Sequence, residues 1–382
     1  MAISFYTCIA TLLFLLSITV RSTEIIRATN NDSESLVAEE KALMETGWWN
    51  YYSKIGVHHC TWPGVICSAA GSVIKIYLRG HDLNGSITPK IGAPSKLRYL
   101  DLSLNSLTDA LPFSIGNLIQ LVVLDVSYNE IDSITLHIGK LKSLVHLRLS
   151  SNVLVGPIPQ EIGRLTNLVT LDLSLNMILG PIPSSLGQLK NLSSLYLTSN
   201  KIFGPLPPYL SNLSRLEFFS LYQNKINGSI PSAITNLKRL IVLDLGANNL
   251  SGQIPSFLGL LPSLSSLYLD SNHFEGFIPL DIGKLKNLTL LYLSNNKLTG
   301  SIPSSLLHLP NLWDLSMASN LLEGPIPHEI ESLNALKYLN LPNSKLSGRI
   351  PLQIGGLSLY QLDLSHNIIG GVIPSQFNST NM

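Results

Sequence analysis

Charged residues are scarce in this chain of 382 residues, at 13%, and the formal net charge is only +1. A protein that binds nucleic acid or an anionic membrane by charge needs a basic surface, and this composition supplies none. We therefore predict neither of these partners. No Ser, His and Asp set can be placed together from the sequence, so we also predict no catalytic site and no cofactor.

Cysteine is rarer still, with three residues in the whole chain. Cys8 lies in an apolar run near the start, whereas Cys60 and Cys67 frame the segment "CTWPGVIC". Two cysteines this close in an exported chain predict a disulfide. A metal site is not expected, because only His58 and His59 lie nearby and the spacing of a four-ligand site is absent.

The sequence has one long hydrophobic run, within residues 1–22, and no later stretch that could span a membrane. The run "CIATLLFLLSITV", followed by Ser22, predicts a secretory signal peptide. No Lys or Arg precedes the run, and an uncleaved anchor is the alternative, although a membrane span needs about 20 apolar residues.

The predicted secretion makes N-glycosylation motifs meaningful, because glycans are added in the secretory pathway. Asparagine and serine are also common in this chain for other reasons, so each motif is weak alone. The candidate glycosylation sites are Asn31, Asn84, Asn191, Asn212, Asn227, Asn249, Asn287 and Asn378.

What the sequence has in abundance is one repeated stretch, which recurs about thirteen times with a period of 24 residues. The form is L-x-x-L-x-L-x-x-N-x-L-x-G-x-I-P, and residues 264–276, "LSSLYLDSNHFEG", are a clean copy. This spacing is that of the leucine-rich repeat. We predict an α/β leucine-rich repeat solenoid over residues 73–382, in which stacked repeats share one core and line up a long parallel sheet.

The asparagine of each repeat fixes the register of the whole chain. Its amide both donates and accepts, so we expect it to serve buried backbone groups of neighbouring turns. His81 and Ser344 take its place in two repeats, and the steps to Asn152 and Asn367 are one residue short. The remaining asparagines of this column are Asn105, Asn129, Asn176, Asn200, Asn224, Asn248, Asn272, Asn296 and Asn320.

Residues 23–72 do not repeat and predict an amino-terminal cap for the open end of the solenoid. A helix is expected from Asp32 or Ser33 to about Glu45. Three tryptophans should then pack against the core, although a binding role for them is an alternative. The predicted buried helix face is Leu36, Val37, Leu43 and Met44, and the tryptophans are Trp48, Trp49 and Trp62.

The segment C-x-W-x-G-V-x-C at residues 60–67, together with the "GxIP" repeats, resembles the ectodomain of plant leucine-rich repeat receptor kinases, in particular the MDIS1-interacting receptor-like kinase group. This resemblance implies a right-handed superhelix with the long sheet on its concave face. It also implies an extracellular or plasma-membrane-associated location and, as the ligand, a peptide, a small molecule, a partner protein or a co-receptor ectodomain. A carboxy-terminal cysteine cap, a membrane helix and the kinase motifs are absent from the sequence, so we expect a truncated receptor-like product, a secreted variant or a fragment, without enzyme activity.

Ligand binding should reside on the solvent-facing positions of the sheet, where aromatic residues depart from the usual aspartate of this repeat. Exposed aromatics on a rigid scaffold are typical of binding surfaces, although tyrosines also stabilise sheets by stacking across strands. The candidate residues are Tyr196, Phe218, Tyr222, Tyr268, Tyr292, Trp313 and Tyr338.

One irregular repeat, "NEIDSITLHIGKL", precedes the only basic pair predicted on the inner strands, His146 and Arg148. The carboxylate of a peptide could pair with Arg148, and drift of one repeat is the alternative. For the whole chain, two further functions stay open. It could be a secreted inhibitor of a pathogen cell-wall hydrolase, as polygalacturonase inhibitors are, or a non-functional truncated product.

Overall fold

The computed structural model describes residues 30–374, with side chains from residue 34 onwards. The predicted signal peptide at 1–22, Cys8, the side chain of Asn31 and the site Asn378 lie outside this range. In the described part, no helix combines the length and the apolar character that crossing a bilayer requires.

The predicted solenoid is confirmed, and its main element is one sheet of fourteen strands in the described residues. The first two strands pair antiparallel, and every later strand pairs parallel with the strand of the preceding repeat. In chain order the strands are Val65–Cys67, Val73–Tyr77, Tyr99–Asp101, Val123–Asp125, His146–Arg148, Thr170–Asp172, Ser194–Tyr196, Phe218–Ser220, Val242–Asp244, Ser266–Tyr268, Leu290–Tyr292, Asp314–Ser316, Tyr338–Asn340 and Gln361–Asp363.

A second set of short strands follows the asparagine column in every repeat except that of Asn152, and these strands also pair parallel. Three of them form one sheet, Asn84–Ser86, Ser106–Ala110 and Glu130–Ser133. Nine form another, Leu179–Gly180, Lys201–Pro205, Lys225–Gly228, Asn249–Gln253, His273–Phe277, Lys297–Gly300, Leu321–Pro325, Lys345–Arg349 and Ile368–Gly370. We call the nine- and three-stranded sheets together the lateral sheets.

The return segment of each repeat is a short 3-10 helix, because a 24-residue turn leaves room for little more than one helical turn after "IP". The proline before most of these helices supplies an extended residue that needs no backbone donor. The helices are His59–Thr61 in the cap, then Pro89–Gly92, Phe113–Asn117, Leu136–Lys140, Gln160–Arg164, Ser184–Gln188, Pro208–Asn212, Ser232–Asn236, Ser256–Leu260, Leu280–Lys284, Ser304–His308, His328–Ser332 and Leu352–Gly356.

The leucines of the repeats form a single continuous core, as predicted from their spacing. In the strand Ser194–Tyr196, for example, Leu195 is fully buried while its two neighbours are half-buried. Burying such an apolar side chain stabilises the fold by about 1.5–3 kcal/mol. The core therefore holds adjacent repeats in fixed register and leaves the alternate side chains of each strand at the surface.

The asparagine column forms a hydrogen-bonded ladder inside the solenoid, and this prediction is also confirmed. Asn248 shows the pattern: its Oδ1 accepts from the N–H of Ile226 in the preceding repeat at 2.9 Å. Its Nδ2 donates to the carbonyl oxygens of Leu221, Leu245 and Gly246. Each asparagine thus joins its own turn to the previous one. Ser344 does not, and its buried Oγ has no hydrogen-bond partner.

The cap contains the two α-helices of the described residues, Asn30–Met44 and Asn50–Lys54. The first helix begins earlier than Asp32, and one predicted contact is wrong: Val37 is 67% exposed. The buried side of the helix instead includes Glu39 and Leu43, and Glu39 accepts the N–H of Val73 at 3.0 Å. The helix is therefore oriented so that this carboxylate bonds the start of the second strand, Val73–Tyr77.

The tryptophans and the cysteines cover the end of the core, as expected. Trp49 and Trp62 are both 2% exposed, and their ring centroids lie 5.6 Å apart. Each indole N–H donates to a carbonyl oxygen, so neither ring leaves a buried donor unpaired. Cys60 and Cys67 form the predicted disulfide.

Candidate ligand-binding face

The surface of the long sheet that carries the non-leucine side chains is here called the sheet face. Its predicted register is confirmed at every strand from Tyr77 to Asp363. The candidate aromatics lie on this face rather than in the core, since all of them are half-buried or exposed. Trp313 is the most accessible, with 41% of its surface exposed.

Tyr268 and Tyr292 lie directly opposite each other on adjacent strands, as predicted. Their ring centroids are 5.0 Å apart in an edge-on arrangement, which favours the ring quadrupoles. The hydroxyl of Tyr292 donates to Asp314 Oδ2 on the next strand. Burial, followed by this hydrogen bond, raises the pKa of Tyr292 well above its usual range. Tyr292 is therefore a fixed, neutral donor at the centre of the face.

A second aromatic group continues the row. The centroids of Trp313 and Tyr338 are 4.7 Å apart, and those of Tyr338 and Tyr360 are 5.9 Å apart. Lys337 places its ammonium 5.5 Å from the Tyr360 ring, a cation–π contact. The sequence reasoning missed Tyr360, although its place in the repeat matches that of Trp313 and would have revealed it.

A shallow depression lies where the two aromatic groups meet. It is lined by Tyr292, Asp314, Ser316, Tyr338, Asn340 and Gln361. Hydrogen-bonding groups and aromatic rings therefore border the same depression. This lining suits a ligand side chain that has a polar end and an apolar stem.

Tyr196, Phe218 and Tyr222 form the amino-terminal part of the candidate set. Tyr196 lies opposite Asp172 and Ser220, as predicted. Tyr222 is exposed, and the pKa of its hydroxyl is raised by burial of the oxygen and by nearby aspartates. The strand Val242–Asp244 separates these rings from Tyr268, so the candidate aromatics form two patches.

The strand between the two patches holds the most buried carboxylate of this part of the face. Asp244 accepts from Ser220 Oγ at 2.8 Å and from the N–H of Gly246 at 3.2 Å. Burial outweighs these hydrogen bonds and raises its pKa to about 6. A Cβ built on Gly246 would lie 2.9 Å from Asp270 Oδ1 and 3.1 Å from the Tyr222 ring, so both side chains close over this glycine.

His146 and Arg148 occupy one strand, on either side of the buried Leu147. Arg148 Nη1 lies 3.7 Å from Asp125 Oδ2, and His146 Nδ1 lies 3.1 Å from Thr170 Oγ1. Burial, and then the charge of Arg148, lowers the pKa of His146. A ligand carboxylate at Arg148 would have to compete with Asp125, and its binding there stays a prediction.

The described glycosylation motifs lie away from the sheet face. Asn84, Asn227 and Asn249 are exposed on the lateral sheets. Asn191, Asn212 and Asn287 lie on the 3-10 helices or in the turns that lead into the long sheet, and the amides of Asn191 and Asn287 donate to carbonyls of the preceding repeat. Glycans at these six positions would leave the sheet face open.

Three residues of the cap that could ligate a metal lie close together, but they do not form a thiolate metal site. His58, His59 and Cys60 have ligand atoms within 4.8 Å of one another. The sulfur of Cys60 is bonded to Cys67, and His59 faces Glu40 with Nδ1 3.4 Å from the carboxylate. His59 is buried in the cap, whereas His58 is exposed and its Nδ1 accepts the N–H of Cys60 at 3.3 Å.

Comparison with known proteins agrees with this architecture. A sequence model of the leucine-rich repeat matches residues 95–154 and 262–322, and a second model of the same repeat matches residues 167–189, 191–213, 215–237, 239–261 and 358–380. The chain belongs to the leucine-rich repeat family. Its relatives include plant receptor-like kinases: the MDIS1-interacting receptor like kinase 1 of Arabidopsis thaliana is 41% identical over 104 residues, which are 27% of this chain and 10% of that protein.

Solved receptor ectodomains have the same fold. The Arabidopsis receptor kinase HAESA, in complex with the peptide hormone IDA and the co-receptor SERK1, is 32% identical with a TM-score of 0.78, over 91% of this chain and 59% of that chain. A TDR receptor is 39% identical with a TM-score of 0.77, over 78% of this chain and 52% of that chain. This leucine-rich repeat chain thus spans about half the length of these solved receptors.

Proposed function

We propose that this chain is an extracellular recognition module of the plant cell-surface receptor type, which binds a peptide or a partner protein across the sheet face between Tyr196 and Tyr338. The observation that carries the proposal is the pair of aromatic patches held half-exposed on strands of fixed register. Aromatic side chains bury a large area on binding and lose little conformational entropy, which makes them effective anchors.

The comparisons support the same function. HAESA was solved with a peptide hormone and a co-receptor, and this chain shares its fold over most of its own length. A co-receptor ectodomain is therefore part of the proposal as a second partner. A secreted location is part of the proposal, and the predicted signal peptide and the glycosylation motifs away from the sheet face support it. The chain recognises its ligand without chemistry, so no cofactor is involved.

The test replaces anchors on the face and compares them with equally apolar residues elsewhere. The probe is a phage-displayed library of random peptides, selected on the immobilised, glycosylated protein. The triple variant Tyr268→Ala, Tyr292→Ala, Trp313→Ala should retain at least about tenfold fewer phage, since interface anchors contribute about 2 kcal/mol or more each.

The control variant is Phe113→Ala, Leu280→Ala, Leu352→Ala, which removes three exposed apolar side chains from the 3-10 helices and should bind as the unmodified protein does. Thermal unfolding of both variants shows whether the scaffold is intact. Equal retention by the two triple variants, with both folded, would refute binding at the sheet face.

A further inference from the structure

Charge is distributed unevenly along the sheet face. On the six strands from Ser194–Tyr196 to Asp314–Ser316 and the residues flanking them, the face carries four carboxylates and no lysine, arginine or histidine. These acidic residues are Glu217, Asp244, Asp270 and Asp314. The five repeats before them carry both signs of charge at the same positions, namely Lys75, Arg79, Arg98, His146 and Arg148 together with Asp101, Asp125 and Asp172. From Tyr196 to Trp313 the aromatic residues therefore share the face with negative charge alone, and a cation, Lys337, follows on the next strand beside Tyr338 and Tyr360.

These carboxylates are partly removed from water without a cation to compensate them. In the described residues no ion pair joins Asp244, Asp270 or Asp314 to a lysine or an arginine, whereas Asp125 has Arg148 nearby. Burial is the main reason that the pKa of each of the three is raised. An incoming cation would offset this desolvation, because an opposite charge favours the ionised form.

Geometry brings one carboxylate and one aromatic ring together at Gly246. Because this residue lacks a Cβ, Asp270 Oδ1 and the Tyr222 ring approach the same point from the two neighbouring strands. Asp244 lies two residues before the glycine, at the end of the strand Val242–Asp244. A guanidinium or ammonium group suits this arrangement, since it can donate to a carboxylate while it stacks on a ring face.

We propose that the ligand of the sheet face is a peptide with an arginine or lysine side chain, which is held by Asp244 and Asp270 beside Tyr222 while the neighbouring residues lie on the aromatic patches. The inference rests on the proposed function and adds the charge of the ligand. Six strands span about 24 Å at about 4.8 Å per step, which matches about seven residues of extended peptide. One peptide therefore reaches both patches.

The test sequences the phage that the unmodified protein retains and repeats the selection on two charge-reversal variants. Asp270→Lys inverts the charge beside Gly246. Glu130→Lys makes the same change at an exposed residue of the lateral sheets and serves as the matched control. We expect retained peptides to be enriched in arginine and lysine, and a synthetic copy of an enriched peptide to bind Asp270→Lys at least about tenfold more weakly, which is the effect of losing one charge-assisted hydrogen bond.

The possible results separate the two proposals. If the unmodified protein retains no peptide above background, the proposed function and this inference both fail. If it retains neutral or acidic peptides through the aromatic residues, the proposed function stands and the cationic ligand is refuted. Equal loss of binding in Asp270→Lys and Glu130→Lys would also refute it, because the effect would then be one of net charge. Replacing the arginine of the synthetic peptide by citrulline, which keeps its shape without the charge, should abolish the difference.

Discussion

The break in the asparagine ladder at Ser344 offers a direct test of what holds the repeats together. At Asn248 the side chain forms four hydrogen bonds, whereas the buried Oγ of Ser344 forms none. We predict that Ser344→Asn stabilises the carboxy-terminal repeats. The new amide should accept from the N–H of Leu322 and donate to the carbonyls of Met317 and Leu341, by analogy with the other ladder positions.

The expected size follows from the number of bonds gained. A buried hydrogen bond contributes about 0.5–1.5 kcal/mol net, so about three of them should add about 1–3 kcal/mol to the local free energy of unfolding. The reverse change, Asn248→Ser, leaves the buried N–H of Ile226 and the carbonyl oxygens that Asn248 bonds without a hydrogen-bond partner. Each such group costs about 1–3 kcal/mol, so the loss should exceed the gain at Ser344.

Amide hydrogen exchange is the suitable measurement, because a solenoid opens locally and a single global stability is poorly defined. Protection of the Leu322 amide should rise at least about fivefold in Ser344→Asn, which corresponds to about 1 kcal/mol. Ser332→Asn changes an exposed residue in the repeat that contains Leu322. It is the control and should leave the protection of the Leu322 amide unchanged. Unchanged or reduced protection of Leu322 in Ser344→Asn would show that the ladder does not contribute as argued.

Two further predictions concern backbone strain and buried charge. Gly252→Ala should lower the free energy of unfolding by about 1–2 kcal/mol through backbone strain alone, because its φ is +81° and an added Cβ would contact no other atom. Gly300→Ala should lower it further, because the Phe277 ring occupies the space that the Cβ needs. Equal losses of the two variants in urea unfolding would contradict this. Asp244 has a folded pKa of about 6, above its unfolded value near 4, so its contribution to stability falls as pH rises from about 4 to 6. Asp244→Asn should therefore add about 2–3 kcal/mol at most to the free energy of unfolding at pH 7, measured as a higher melting temperature, and should add nothing at pH 4. Asp363→Asn, at an exposed carboxyl whose pKa is lowered, is the control, and an equal rise there would refute the argument.

The sequence predicted the parallel register of the sheet because the ladder asparagine marks the same point in each repeat. The contact between Tyr268 and Tyr292 followed directly, since both precede their asparagine by four residues. The rotation of the cap helix could not be obtained in this way. Val37, which is predicted on the buried face, is exposed, whereas Glu39 is buried, because helical periodicity alone does not fix which side of the helix packs against the solenoid.

The sequence also did not predict one recurring feature of the backbone. The residue before each ladder asparagine has a positive φ, and residues as different as Leu175 and Ala247 adopt it. No residue type signals this conformation, because it is imposed by hydrogen bonds to the next repeat. The N–H of Leu175, for example, donates to the carbonyl of Thr198 at 2.8 Å.

Core and surface residues alternate along each strand, so the fold does not determine which side chains lie on the sheet face. The solenoid is held by buried leucines and by the asparagine ladder, and neither depends on which side chain lies at a face position. Asp172, Tyr196 and Ser220 occupy equivalent positions on successive strands of the same geometry. Folding therefore does not require a stretch of the face with carboxylates and aromatic rings but no cation, beside a stretch that carries both signs of charge. A division of charge that the scaffold does not need is the pattern expected where a ligand of opposite charge lies, and the citrulline substitution tests that link.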